Sequence, residues 1–481
     1  MQLKTINLLS KMKIVKNLTL PVLVFLVMGL ASCSKDEAIN YSTKSLKNTE
    51  LMNILKTRGF TFDKDGKLEL NDLAEKTTTL DLSGTKLKDL SGLDILPNLK
   101  EVKLSNNDYK LSFDFSQLPS QITGVDLTGN EIYEFTGLTK EDETGNITIL
   151  HHLNKLYLPN SAKYNEDEIV NFFTTAKDVD MQMSDEKGTL QKYNTLREVP
   201  DEVLRKGMKE VFPSIFTGDK VDIAKRIVNP EEAVMPTAFM EADINNFEGL
   251  QYIIHNKGWR GTTVVTYTES EKEFTTSIPY LKIPKTVQGL ILTNVSTPNG
   301  IDISACTDLM KVSINDNPSL KELDFSMVKA WGQRGYQTEI ASEGMSYMEI
   351  VNCANLEKIT LPKEAKHTST LSFIALPNLK ELNFANFAFV PNMDLYDLPK
   401  CKITYPTNKL EEHTVTMPNG TTEKKEAIFT ISKELFDATN AKEYVMKNKG
   451  TLRSGTSFSC MNSVLDKMAR KMKAYDWSKD Y

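Results

Sequence analysis

Residues Thr77 to Leu93 read "TTTLDLSGTKLKDLSGL", and the fold turns on whether this LDL is a lone strand or the first turn of a repeat. Three later stretches fall into register with it: "LKEVKLSNNDY" from Leu99, "ITGVDLTGNEIYEFTGL" from Ile122 and "LNKLYLPNS" from Leu153. Apolar pairs recur as Leu80/Leu82, Val102/Leu104, Val125/Leu127 and Leu156/Leu158, their second members spaced by 22, 23 and 31 residues. A unit this short cannot bury its apolar face alone, so a repeat of this length predicts strand-bearing turns stacked on one another.

Each apolar pair sends two side chains inward, and the turn after it needs a residue that satisfies buried backbone groups. Asn107 and Asn130 occupy that position, with Thr85 in the first unit. Side chains alternate along a strand, so Asp81, Lys103, Asp126 and Tyr157 are predicted to project outward as one candidate binding face. The first array spans 77–160, and "NEDEIVNFFTTAKDVDMQM" after it could add one more helix and strand.

A second array is predicted over 278–405. Leu292, Ile314, Ile340, Leu361 and Phe384 form one apolar column, interleaved with Ile303, Phe325, Ile350, Phe373 and Leu395, in steps of 21 to 26 residues. The matching outward column is Ile291, Ser313, Glu339, Thr360 and Asn383. An apparent loop, "VKAWGQRGYQ", offers Trp331 and Tyr336 as exposed aromatics, the residue type enriched where binding energy concentrates. "ALPNLKELNF" at 375–384 nearly repeats "ILPNLKEVKL" at 95–104, which relates the two arrays.

Residues 49–76 read as an N-terminal cap and 406–481 as a C-terminal cap, the latter with Val464, Leu465, Met468, Met472 and Tyr475 on one helical face. Between the arrays, 161–277 reads as an inserted or linking subdomain with two amphipathic helices. One starts at Pro200 and aligns Leu204, Met208 and Val211; the other follows Gly218 with Val221, Ala224, Ile227 and Val228. The fold class is therefore α/β.

At the N-terminus, Lys4, Lys11, Lys13 and Lys16 precede the apolar run Leu18 to Leu30, and Ala31 and Ser32 lead into Cys33. This is the layout of a secretory signal over 1–32, and the run is short for a bilayer span. Met12 opens a more compact version of the same signal. Residues 33–48 are polar and aperiodic, as suits a tether.

Leu30-Ala31-Ser32-Cys33 resembles the bacterial lipobox, and Ser34-Lys35-Asp36-Glu37 is similar to the acidic export tag of Bacteroidetes-type surface lipoproteins. That resemblance implies lipidation of Cys33 and an outer-membrane, cell-surface location. "LKDLSGLDILPNLKEVKLSNND" resembles the leucine-rich repeats of internalin-type surface proteins. "CTDLMKVSIN" and "CANLEKITLPKEA" are similar to BspA-type repeats, which implies a small buried residue at Cys306 and Cys353.

Composition, at 40% hydrophobic and 25% charged, is that of a folded chain. Without its first 32 residues the chain holds 54 cationic and 64 acidic side chains, a net −10 that disfavours nucleic acid and anionic lipid surfaces as partners. The five cysteines form no CxxC pair, so zinc and dithiol redox chemistry lack their spacing. In "DKDG", Asp63 and Asp65 fit two positions of a calcium loop, but Thr61 and Asp72 fall where stronger ligands belong, which favours a solvated turn. GxSxG, HExxH and a phosphate-binding glycine loop are absent. His151 and His152 point to opposite sides of a strand and read as surface or loop residues.

The expectation is a non-enzymatic, cofactor-free, lipid-anchored protein that binds a protein or glycan partner, as adhesins do. One alternative is an accessory lipoprotein of a nutrient-uptake complex. Another is a hydrolase with its site in 161–277.

Overall fold

The computed structural model describes residues 39–444 except 240–242, 267–275, 330, 332–345, 364, 366–367, 388–391, 408–412, 417–419, 426–427 and 442. It is an α/β chain in which short strands pair in parallel, with few helices.

The first sheet has six strands. Thr79–Asp81, Glu101–Lys103, Gly124–Asp126, Lys155–Leu158 and Asp180–Ser184 lie side by side in chain order, all parallel. Leu190–Lys192 closes the edge as an antiparallel hairpin. Leu80, Val102, Val125, Leu156 and Met181 stand in register and are all buried, so the alignment read from the sequence is the strand register itself. The helix Glu168–Thr175 and strand Asp180–Ser184 extend this sheet past residue 160. The long 31-residue step has a local cause: the antiparallel hairpin of Thr139–Glu141 and Ile147–Ile149 sits within it.

Asn107 and Asn130 form the polar ladder. Asn107 Nδ2 donates to the Leu82 carbonyl at 2.9 Å and its Oδ1 accepts from Lys86 N at 2.8 Å. Asn130 repeats the pattern one turn on, donating to Leu104 O at 3.0 Å and accepting from Asn107 N at 2.9 Å. Thr85, with a shorter side chain, donates to Leu82 O at 2.8 Å, lies 3.4 Å from the Asn107 Oδ1 and accepts from Leu87 N at 3.4 Å.

The second sheet has eight parallel strands in chain order: Thr237–Phe239, Thr263–Thr266, Gly289–Thr293, Lys311–Asn315, Ser346–Val351, Thr368–Ile374, Asn392–Tyr396 and Ile428–Ile431. It thus reaches from before residue 278 to beyond 405. Its inward column is Leu292, Ile314, Ile350, Phe373, Leu395 and Ile431. A second row pairs Glu322–Asp324 with Lys358–Thr360, and Glu381–Asn383 with Lys402–Thr404.

The two apolar columns read from the sequence therefore cross over after Ile314. Both rows advance by about 22 residues, and the chain between Ile314 and Ile350 is longer, so a constant-step alignment passes from one row to the other. On the opposite face of the large sheet the column is Ile291, Ser313, Glu349, Ser372 and Asp394, but Ser313, Glu349 and Ser372 are buried rather than outward, with Ser313 donating to Glu349 at 3.0 Å; Thr360 and Asn383 belong to the second row. Directly after five successive strands, from Gly289–Thr293 to Asn392–Tyr396, the backbone turns left-handed at Asn294, Asp316, Asn352, Ala375 and Asp397, with φ from 48° to 56°. Asn and Asp tolerate that conformation and predominate.

Of the two helices expected in the linking segment, Glu202–Val211 is present, capped by the Asp201 carboxylate and burying Leu204 and Met208. The stretch after Gly218 is instead a β-hairpin of Phe216–Thr217 and Lys220–Asp222. Gly218, at φ 63°, supplies the tight turn between them, which leaves Ala224 and Val228 exposed.

Candidate functional site

The outward residues of the first sheet stand in one row, Asp81, Lys103, Asp126, Tyr157 and Gln182, as strand alternation requires. They are tied mostly to neighbours. Lys103 Nζ lies 3.9 Å from Asp81, and Asp126 accepts from the Thr128 amide at 3.0 Å and its hydroxyl at 2.7 Å. Tyr157 donates to Asp180 at 2.7 Å, and Lys155 Nζ lies 4.9 Å from the centre of its ring. The bond to Asp180 pushes the Tyr157 phenol up to about 12. Asn383 is exposed on the second row and accepts from Ala385 N at 3.0 Å.

Trp331 corrects the expectation of an exposed aromatic. It is 1% exposed, its ring centre 6.4 Å from that of Phe325, and Nε1 donates to Thr368 Oγ1 at 3.2 Å. Glu339 and Tyr336 lie outside the described residues, as do Cys33, the signal segment and most of the C-terminal cap. Asp63 Oδ1 accepts from Asp65 N at 2.9 Å and Lys67 N at 2.8 Å, so its carboxylate stabilises its own turn. Among the described residues no cluster of His, Cys, Asp and Glu could hold a metal ion. Cys306 and Cys353 are packed thiols, pushed up to about 12 by burial. His151 is buried, not on the surface, with Nε2 2.9 Å from Ile122 O.

Sequence reasoning missed a polar cleft of about 580 Å³ at a junction where residues 133–171 meet residues 254–284. Its ionic partners come from stretches 85 to 148 residues apart and share no local pattern. Four tyrosine rings run along the junction, with Tyr252–Tyr164, Tyr164–Tyr133 and Tyr133–Tyr280 centroids at 5.9, 6.1 and 5.1 Å. Glu134 accepts from Lys282 Nζ at 2.7 Å and from the Tyr280 hydroxyl. Glu141 accepts from Arg226 at 2.5 Å and Lys257 at 2.6 Å, and Lys257 also pairs with Asp167.

Two further groups are held by the backbone. Glu168 accepts from Leu138 N at 2.6 Å and Thr139 N at 3.0 Å. His255 Nε2 accepts from Lys282 N at 3.0 Å, while the ring's other bond is to the Tyr164 backbone; burial, with the Lys282 charge, pushes it down to about 4. The imidazole is therefore neutral near pH 7 with both nitrogens engaged, an arrangement that positions the loop at Lys282 and leaves no lone pair for proton transfer.

Glu166 differs from its neighbours. The residue is half-buried, but both carboxylate oxygens are sealed from solvent with no hydrogen-bond partner. Burial, then the adjacent Asp167 charge, pushes its pKa well above the usual range against the pull of Arg197.

No family model matches the chain, and no curated protein is significantly similar to it. Among the described residues, no helix is long and apolar enough to cross a membrane.

Proposed function

We propose that the chain is a leucine-rich-repeat solenoid, lipid-anchored through Cys33 at the surface of a bacterial outer membrane, that binds a protein or glycan partner by its outward strand faces. The observation that carries this reading is the unbroken row from Asp81 to Gln182, five side chains at successive strand spacing on one parallel sheet. A flat, polar surface built from repeated strands suits an extended macromolecule. The asparagine ladder and the steps of 22 and 23 residues support the leucine-rich-repeat assignment. The engagement of His255, Glu134 and Glu141 with neighbouring groups favours binding over hydrolysis in the junction cleft.

A binding screen against matrix proteins and glycans tests the reading. Binding should weaken in Tyr157→Ala, the aromatic on the outward row. Replacing Cys33 with Ser should release the protein from membranes; a Cys33→Ser protein that stays acylated and membrane-bound overturns the anchor.

A further inference from the structure

Residues 33–48 read from the sequence as a tether, yet the fold takes up more than half of that length. Tyr41–Ser45 is a strand paired antiparallel with Lys67–Glu69, Leu70 N donates to Asn40 O at 2.7 Å, and Leu46 is buried. Only residues 34–38 then separate Cys33 from Ile39, a length that reaches roughly 20 Å at full extension. The eight-stranded sheet alone, at about 4.8 Å between strands, spans roughly 34 Å. A body wider than its tether cannot turn freely above the surface it is tied to. The corner where the chain emerges is the one held against that surface.

That corner carries exposed apolar side chains. Ile39 is 60% exposed, and the bond between Leu70 and Asn40 sets it beside the short helix Asp72–Lys76, on which Leu73 is 42% exposed. The ion pair on that helix is self-contained, with Lys76 Nζ 2.5 Å from Asp72. Contact here draws on apolar burial and needs no anionic headgroup, which the net negative charge of the chain disfavours. We propose that the N-terminal cap docks through Ile39 and Leu73 on the lipid surface that holds the Cys33 anchor, so that the solenoid stands on this end. The proposal rests on the anchor proposed above.

Hydroxyl-radical footprinting of the acylated chain on saturated phosphatidylcholine vesicles, read residue by residue by mass spectrometry against the soluble Cys33→Ser chain, tests it. Oxidation of Ile39 and Leu73 should be largely lost on the vesicles. Val228 and Met327, 80% and 47% exposed elsewhere on the chain, should oxidise alike in both samples. In an acylated Ile39→Asp chain, which alters one exposed residue at the entry to the fold, Leu73 should regain the oxidation it shows in the soluble chain.

Unchanged oxidation of Leu73 on the vesicles, in a chain whose intact mass carries the acyl groups, overturns the docking and leaves the anchor standing. Leu73 still shielded in the Ile39→Asp chain also overturns it, because nearness to the anchor then accounts for the shielding. A chain whose intact mass carries no acyl group overturns the anchor, and the docking with it.

Discussion

The carboxylate of Glu101 reaches across Gly124 to the ammonium of Lys155, 3.0 Å away, joining two strands over the one between them. A Cβ on residue 124 would sit 2.6 Å from Glu101 Cγ, so the bridge needs glycine beneath it. Both ends are partly shielded, at 35% and 29% exposed, which places the pair above the weakest surface bridges. A double-mutant cycle of Glu101→Gln and Lys155→Met should give a coupling of about 0.5 kcal/mol. In a Gly124→Ala background the coupling should vanish; an unchanged value would show that the side chain passes clear of residue 124.

The asparagine ladder makes a sharper prediction. Asn107 is fully buried and serves Leu82 O, Lys86 N and, less closely, Thr85. Asn107→Ala removes one of two side-chain donors to the buried Leu82 carbonyl and the acceptor of the part-buried Lys86 amide, at a cost of about 1–3 kcal/mol for the two bonds. The midpoint of urea unfolding reads it directly, and a loss under about 0.5 kcal/mol, typical of surface changes, would remove the ladder from the account.

These two features mark how far the sequence is legible. Leu80, Val102, Val125 and Leu156 could be aligned because the buried pairs and the turn asparagines repeat at nearly constant spacing, and spacing is local information. The second array was legible as two columns but not as to which residue belongs to which, because Ile340 and Ile350 both fit a period that an insertion had lengthened. The stretch after Gly218 has an apolar spacing that suits a helix as well as a hairpin, and the positive φ at Gly218 decides it. The junction cleft was beyond reach: Glu134 and Lys282 stand 148 residues apart and meet only through the tertiary fold, which no local spacing records.

Trp331 separates a packing role from a binding role. Its indole is buried between Phe325 and Thr368, so Trp331→Ala should cost about 3–5 kcal/mol through the cavity it opens. Trp331→Phe keeps most of the volume, loses only the bond to Thr368 and should cost less than half as much. Calorimetric unfolding distinguishes the two, and a Trp331→Ala chain with unchanged melting temperature but lost ligand would restore the exposed-aromatic reading.

Glu166 and Glu141 pull the pH dependence of stability in opposite directions. Glu166 has a folded pKa raised above its ordinary 4.5, so the folded chain holds that proton more tightly than the unfolded one. Its contribution is complete below about pH 4.5 and is lost as pH rises from there toward the folded value. For Glu141, burial alone would raise the pKa, but the bonds and charges of Lys257 and Arg226 outweigh it and hold the group at about 2. That contribution is present above about 4.5 and is lost as pH falls through about 2. Glu166→Gln removes the alkaline loss, so its urea midpoint should exceed the wild type's at about pH 8 and converge with it near pH 4. Glu141→Gln should be the less stable variant at neutral pH, with its deficit shrinking toward pH 2. If the Glu166→Gln and wild-type midpoints stay parallel from about pH 4 to 9, the sealed carboxyl ionises in the folded chain as readily as in water, and the junction has a counter-charge on it.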